Sequence, residues 1–292
     1  MSILPFLAVA GASLALSGFD LSRKLLGRHL APLPMVALLA TASIPLFGLL
    51  TWLAGDSRLS PGYAAPALGS IALNLGAHVA FLEAVRRSPL SLTVPLLSLT
   101  PVFTAFAGLL LLGERPTPAG IAGIVLVVVG ALWLHRVDRP DPAPGLARFR
   151  FSLRKPGVWL MTTAALLWSV SLPLDKMAVG LSSPALHGLV LTSGISVGAL
   201  AFLAQRRRLG ELKEVRGCPG IFLVALCAST VALGLQLVAI QWVLVSLVET
   251  AKRGVGNLAA VVLGRSVFRE PLTLAKVGAA LLMSVGVALL LL

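Results

Sequence analysis

Residues 111–134 read LLGERPTPAGIAGIVLVVVGALWL, and residues 267–290 read VFREPLTLAKVGAALLMSVGVALL. Glu114 and Glu270 correspond in this alignment, and a glycine-containing apolar run follows each of them. An apolar run of this kind is typical of a membrane-embedded helix. The alignment indicates that the chain contains two related halves, each ending in this segment. We expect the two glutamates to cap the helices that follow them, since a carboxylate is stabilised at the positive end of a helix dipole.

The rest of the chain, outside these two aligned segments, consists of apolar runs separated by polar, proline or glycine residues. Each run has about the 20 residues that a helix needs to cross a ~30 Å hydrocarbon layer. Residues 219–267 contain no clear polar break, yet a single helix of that length would measure roughly 70 Å, so a turn near residues 243–246 is required. The predicted spans are residues 3–22, 33–54, 65–85, 89–111, 118–135, 157–176, 184–204, 219–242, 246–267 and 273–292.

The composition places these helices in a bilayer. Hydrophobic residues make up 57% of the 292 residues and charged residues 12%, and the mean hydropathy is +0.95. An average soluble domain is about one quarter charged. The net charge of +13 does not indicate a nucleic-acid partner, because lysine and arginine stand at the ends of the apolar runs, where they meet lipid headgroups. The sequence therefore predicts an all-α membrane protein of about ten transmembrane helices.

A hydrophilic stretch rich in proline and arginine, from Arg136 to Lys155, divides the chain near its centre. We predict a first five-helix repeat in residues 1–137, a basic linker in residues 138–156 and a second five-helix repeat in residues 157–292. Because five is odd, the second repeat enters the membrane from the opposite side, and the two repeats are inverted. Inverted repeats are typical of secondary transporters, whose solute site lies near the bilayer midplane.

The ten spans in two five-helix halves resemble the drug/metabolite transporter superfamily and its EamA-type members. The resemblance is carried by LLWSVSLPLDKMAV in residues 166–179, by SPLSLTVPLLSLTPVFTAFAGLLLLGERPT in residues 88–117 and by GRSVFREPLT in residues 264–273. It implies export or exchange of metabolites, amino acids, drugs, nucleotide sugars or lipid-linked headgroups without ATP hydrolysis.

Enzymatic chemistry has little support in the sequence. The chain contains no glycine-rich phosphate loop, no HExxH motif and no nucleophile elbow. Its two cysteines, Cys218 and Cys227, match no metal or redox spacing. We therefore expect no catalytic residue, no cofactor and no metal. The expected partners are a small-molecule solute and membrane lipids, and the chain is either a monomer or a homodimer.

Charged residues within spans are costly and therefore suggest function. Glu249, Lys252 and Arg253 follow one another at i, i+3 and i+4, which places them on one face of the ninth helix. In one interpretation Lys252 and Arg253 bind an anionic group of the solute, as their resemblance to organophosphate/phosphate antiporters implies. In the other, Glu249 neutralises Lys252 in a structural pair and Arg253 extends to the membrane surface.

Lys176 is a candidate second arm of the same anion site, with a solvated interfacial lysine as the alternative. Trp168 lies eight residues earlier on the sixth helix and either stacks on a solute or fills the core. In the third helix, Asn74 and His78 share a face, and Glu83 follows.

His78 and Glu83 are candidates for proton coupling, because a perturbed imidazole titrates near neutral pH. The alternative for His78 is a hydrogen bond to a neighbouring helix. Two glutamines of the eighth helix, Gln236 and Gln241, are further solute-binding candidates, with interhelical hydrogen bonding as their alternative.

Three functional hypotheses follow from the sequence. The first is a secondary transporter of a small polar, possibly anionic solute, a phosphorylated compound or a carboxylate, working by alternating access in the bacterial cytoplasmic membrane. The second is a broad amino-acid or drug exporter, or a flippase for a lipid-linked headgroup. The third is a membrane scaffold or receptor without flux. Counting positive charges in the loops favours both termini outside the cytoplasm, whereas the family resemblance implies both inside.

Overall fold

The structure is a computed structural model that describes residues 4–55, 58–88, 94–137, 156–266 and 273–290. Ten α-helices and no β-strand lie within these residues. The helices are α1 (Leu4–Leu26), α2 (Pro32–Ala54), α3 (Ala64–Arg87), α4 (Thr100–Leu112), α5 (Pro118–Val137), α6 (Pro156–Gly180), α7 (Pro184–Gln205), α8 (Pro219–Trp242), α9 (Val245–Ser266) and α10 (Leu274–Leu289). Short 3-10 helices occupy Val94–Leu99 and Leu209–Gly217. The prediction of an all-α membrane protein is confirmed.

Proline and glycine set several helix ends. Pro32, Pro184 and Pro219 occupy the first turns of α2, α7 and α8, where a residue without an N–H loses no hydrogen bond. Gly55 and Gly113 follow α2 and α4 with φ of 64° and 66°, a left-handed conformation that glycine adopts without steric cost. These residues explain why the helix ends lie close to the predicted ones.

The chain turns between α8 and α9 at the position predicted from the length of the apolar run. Helix α8 ends at Trp242, Val243 is extended with φ −111° and ψ 151°, and α9 begins at Val245. The prediction of a turn near residues 243–246 is confirmed.

The outer surfaces of the helices are apolar. Helices α1, α2, α3, α6, α7 and α8 are each long and apolar enough to cross a membrane. Large side chains such as Trp52, Val197 and Leu110 are exposed by 76%, 68% and 67%. A bilayer is the solvent in which such side chains are stable on a protein surface. The chain is therefore an integral membrane protein.

The described helices pack into two compact units, and each unit combines separate stretches of the chain. Unit 1 contains Met1–Leu75 and Ser171–Val243, and unit 2 contains Gly76–Val170 and Leu244–Leu292. The boundaries fall within α3 and α6 and at the α8–α9 turn. The predicted division into two repeats concerns sequence relationship rather than packing, and it stays a prediction. Residues 138–155 of the predicted linker and Glu270 lie outside the described residues.

In unit 1, α1 packs against α8, and α2 packs against α7. Two glycines of α7 permit close approach. A Cβ on Gly188 would overlap the Phe47 ring of α2, and a Cβ on Gly194 would lie 2.5 Å from Ile71 of α3. Small residues allow this contact between membrane helices, where packing rather than the hydrophobic effect drives association.

In unit 2, α5 packs against α10, and α9 packs against α4, α5 and α10. A Cβ on Gly130 would lie 2.6 Å from Met283, and one on Gly286 would lie 2.8 Å from Val127. The pairs α2–α7, α4–α9 and α5–α10 each join helices from equivalent positions in the two predicted repeats.

Candidate functional site

Three charged side chains of α9 form one ion cluster, as their spacing predicts. Lys252 Nζ donates to Glu249 Oε2 at 2.8 Å, and Arg253 Nε donates to Glu249 Oε1 at 3.0 Å. We call Glu249, Lys252 and Arg253 the α9 ion cluster. Side-chain exposure is 9% for Glu249, 13% for Lys252 and 29% for Arg253. One carboxylate thus neutralises one of the two positive charges, and the cluster keeps one net positive charge.

Thr100, the first residue of α4, connects the cluster to two other helices. Its hydroxyl lies 3.0 Å from Glu249 Oε1 and accepts a hydrogen bond from Arg253 Nε at 3.0 Å. Ser169 of α6 donates to the Thr100 carbonyl at 3.2 Å. The sequence analysis missed both residues, because a hydroxyl within an apolar run carries no pattern that identifies its partner.

Residues that follow α4 contact the first turn of α9, just before the α9 ion cluster. Glu114 Oε2 accepts from the backbone N–H of Val245 at 2.9 Å. Thr117 Oγ1 accepts from Gly120 N at 3.0 Å and supplies the N-cap of α5. We expected Glu114 to cap α5. In the structure its carboxylate accepts from the first residue of α9, and the Thr117 hydroxyl caps α5.

Arg253 is the most exposed member of the α9 ion cluster. It lies ~12 Å along α9 from Val245, at the 1.5 Å rise of an α-helix. Within the described residues its hydrogen bonds are made through Nε. The two terminal guanidinium nitrogens can therefore form the paired hydrogen bonds with which arginine holds a carboxylate or phosphate.

Trp168 and His78 are brought together in unit 2. The two rings meet edge to face with centroids 5.4 Å apart, and the Phe81 ring lies 5.8 Å from Trp168. Edge contacts of this kind stabilise aromatic clusters. The contact ties α3 to α6, and the predicted solute-binding and proton-coupling roles of these residues stay predictions.

Lys176 and Asn74 lie in unit 1. Lys176 Nζ donates to the carbonyl of Val243 at 2.9 Å, just beyond the end of α8. Asn74 Nδ2 donates to Ser70 O at 3.0 Å and to Ser70 Oγ at 3.2 Å. Both side chains thus have protein partners, and their binding roles stay predictions.

The structure also reveals a buried polar network that the sequence analysis did not propose. Asp175 Oδ1 accepts from Ser70 Oγ and lies 3.1 Å from His187 Nε2, while His187 Nδ1 lies 3.0 Å from the Tyr63 hydroxyl. We call Tyr63, His187, Asp175 and Ser70 the Asp175 network. All four residues are buried, and His187 is 0% exposed. The network joins α3, α6 and α7 within unit 1.

Tyr63, in the turn before α3, has a perturbed acidity. Burial raises its pKa to about 12, although a hydrogen bond with Ser182 opposes the shift, and the Asp175 carboxylate adds to it. The phenol therefore keeps its proton at any physiological pH and can donate to His187. An ionisable residue inside an apolar span was the available signal for Asp175 and His187.

The remaining candidates occupy more exposed positions. Glu83 accepts from Arg86 at 3.0 Å and from Arg87 at 3.2 Å, near the end of α3. On α8, Gln236 is half-buried and Gln241 is exposed. Among the described residues, no group of three or more His, Cys, Asp or Glu side chains is placed to hold a metal ion. The roles of Glu83, Gln236 and Gln241 stay predictions.

Comparison with known proteins supports the resemblance. A solved structure titled "Crystal structure of protein" aligns with a TM-score of 0.77 over 98% of this chain and 95% of its own, at 19% identity. This likeness shows the fold. No curated protein matches the sequence. Residues 3–136 match the model of the EamA-like transporter family. The first half of the chain is thus similar to the EamA-like transporter family of membrane proteins.

Proposed function

We propose that the protein is a secondary transporter of a small anionic metabolite, a phosphorylated compound or a carboxylate, in the bacterial cytoplasmic membrane. It moves the solute by alternating access and performs no catalysis. The observation that carries the proposal is the unbalanced charge of the α9 ion cluster. Glu249 bonds both cations, so one positive charge remains in a cluster whose side chains are at most 29% exposed.

The geometry of the cluster favours Arg253 as the group that binds the anion. Lys252 is 13% exposed and its ammonium donates to the carboxylate, whereas Arg253 is 29% exposed and bonds through Nε. A bidentate pair with a carboxylate or phosphate adds two charge-assisted hydrogen bonds, each worth about 1.5–3 kcal/mol. Lys252 then acts by keeping Glu249 occupied rather than by touching the solute.

A second candidate function, export of apolar or aromatic solutes, is favoured by the ring cluster of unit 2. Trp168, His78 and Phe81 present flat faces and edges on which an aromatic solute can stack. A solute of this kind needs no cation. The two functions therefore differ in their dependence on Arg253.

Counterflow in proteoliposomes tests the proposal. Vesicles loaded with inorganic phosphate, glycerol 3-phosphate or glutamate are diluted into a radiolabelled trace of the same compound. We expect exchange of at least one anion, a loss of about tenfold or more in Arg253→Gln, and abolition in Lys252→Ala/Arg253→Ala, since one charge-assisted pair is worth at least about 1.4 kcal/mol.

Lys213→Gln, which removes an exposed positive charge of the 3-10 helix Leu209–Gly217, is the matched control and should exchange at the wild-type rate. Unchanged anion exchange in the double variant would refute the assignment of the site. Exchange of aromatic solutes alone, insensitive to Arg253→Gln, would support the exporter. No flux of any solute would favour a scaffold or receptor.

A further inference from the structure

We propose that the Asp175 network binds a proton that is coupled to transport, with His187 as the residue that takes it up. This inference rests on the proposed function, because coupling requires a transported solute. It assigns the proton to unit 1 rather than to His78 and Glu83, the candidates suggested by sequence. Glu83 instead pairs with Arg86 and Arg87 near the end of α3.

One assignment of protons gives every member of the network a partner, and we take it as the resting state. With His187 neutral and its proton on Nε2, the imidazole donates to Asp175, and its Nδ1 accepts from the Tyr63 hydroxyl. Ser70 Oγ donates to the same carboxylate oxygen. Each of the four side chains then has a partner, and the network carries one negative charge. A buried carboxylate with this charge is a strong acceptor of compensating positive charge.

The surrounding elements supply few competing charges. Helices α2 and α8, which pack in the same unit, contain no Asp, Glu, Lys, Arg or His between their first and last residues. In α1 the charged residues Asp20, Arg23 and Lys24 stand near its end. On the elements that form the network, the other charged or titratable groups are Lys176 of α6, whose ammonium donates to Val243 O, exposed Arg58 before α3, and His78, Glu83, Arg86 and Arg87 further along α3.

Proton uptake has a defined place in the network. A hydronium ion transfers a proton to His187 Nδ1: one O–H bond breaks, a water molecule leaves, and the new N–H donates to the Tyr63 oxygen. The Tyr63 hydroxyl then turns its proton away from His187, and the neighbouring Ser182 oxygen, whose own proton bonds Ala178 O, is an available acceptor. The Nε2–H bond to Asp175 is kept. One N–H bond forms, and the charge of the network changes from −1 to 0. Apolar surroundings accommodate the network at a lower free-energy cost when it is neutral than when it is charged.

The network also forms a path into the membrane. Tyr63 stands at the start of α3, and Asn74, which donates to Ser70, lies eleven residues further along the chain. At 1.5 Å per residue this spans ~16 Å, about half of a ~30 Å hydrocarbon layer. A proton that enters at the Tyr63 end is thus held at His187, one turn into α7.

Infrared difference spectroscopy tests the proton site without any knowledge of the solute. The purified full-length chain in lipid nanodiscs is compared between about pH 5 and about pH 9, the range in which imidazoles titrate. We expect an imidazole signal that His187→Gln removes. His29→Gln, which alters the exposed histidine between α1 and α2, is the control and should leave that signal in place.

Ser70→Ala keeps the packing of a small buried side chain and removes one donor from the Asp175 carboxylate. The carboxylate then holds the His187 proton more strongly. The pH midpoint of the imidazole signal should rise by about one pH unit, which corresponds to the free energy of one hydrogen bond to a charged group. The shift tests whether the imidazole senses the Asp175 carboxylate, and the transport measurements below separate coupling from a structural role. The proposal would be overturned if His187→Gln removed no imidazole signal. It would also be overturned if the pH midpoint of that signal were the same in Ser70→Ala as in the wild type.

Transport measurements separate this inference from the proposed function. In wild-type proteoliposomes an inward pH gradient should drive accumulation of the phosphate probe, and His187→Gln should abolish that accumulation. Anion counterflow in a chain whose His187 does not titrate would overturn the proton site and leave the transporter standing. A titrating His187 in a chain that exchanges no anion would refute the transporter and support the proton site.

Discussion

Replacing Glu249 with glutamine tests the central feature of the α9 ion cluster. The substitution keeps the shape and one acceptor oxygen but removes the negative charge, so Lys252 and Arg253 are left with two uncompensated positive charges. Three donors reach this carboxylate, at 2.8, 3.0 and 3.0 Å. A hydrogen bond to a charged group exceeds a neutral one by about 1 kcal/mol, which gives about 3 kcal/mol for the three. The partial exposure of Arg253 lowers the expected loss to about 2 kcal/mol.

The assay is unfolding in mixed micelles with a rising fraction of denaturing detergent, followed by tryptophan fluorescence. Glu249→Gln should lower the free energy of unfolding by about 2 kcal/mol. Glu249→Gln/Lys252→Met, which removes one of the uncompensated cations, should recover about half of that loss. A single variant within about 0.5 kcal/mol of wild type, or a double variant no more stable than the single one, would refute the reasoning.

Three further predictions concern other parts of the molecule. Tyr63 is the single tyrosine of the chain, so tyrosinate absorbance reports on it alone. The pH titration of that absorbance should have its midpoint at about pH 12 in the folded protein and at about pH 10 after denaturation. The free energy of unfolding should fall as the pH rises through this window, and Tyr63→Phe should lack that fall. Gly286→Ala should cost about 1–3 kcal/mol in the same unfolding assay, because its Cβ would lie 2.9 Å from the Gly123 carbonyl, whereas Gly48→Ala, which meets nothing within 4 Å, should be neutral or stabilising. Glu114→Gln should cost about 1 kcal/mol and speed hydrogen exchange of the Val245 amide, and unchanged exchange would contradict its capping role.

The helices could be predicted from the sequence because local features specify them. Apolar runs set the lengths, and prolines such as Pro184 and Pro219 mark the starts. The α8–α9 turn follows from bilayer thickness alone, with no polar residue to mark it. The i, i+3, i+4 spacing likewise places Glu249, Lys252 and Arg253 on one face by the geometry of a single helix. Each of these inferences uses residues that are neighbours in sequence.

The partners of the polar side chains could not be predicted. Thr100 meets Glu249 across 149 residues of sequence, and Tyr63 meets His187 across 124. Within an apolar run, a lone hydroxyl or imidazole has the same local pattern whether it faces another helix or a solute. Helix pairing decides between these environments, and it depends on close contacts such as those of Gly188 and Phe47.

The charge balance of the α9 ion cluster also bears on which solutes can bind. Two cations without Glu249 would place two positive charges in an apolar span, at roughly 2.5–3.5 kcal/mol each. A second carboxylate would remove all net charge and with it the attraction for an anion. The single carboxylate reduces the cost enough for the helix to insert and leaves one positive charge to be satisfied. For the proposed anion carrier, a solute with one carboxylate completes the balance and a phosphate group, with up to two negative charges, exceeds it, whereas a neutral solute gains nothing from the net charge of the cluster.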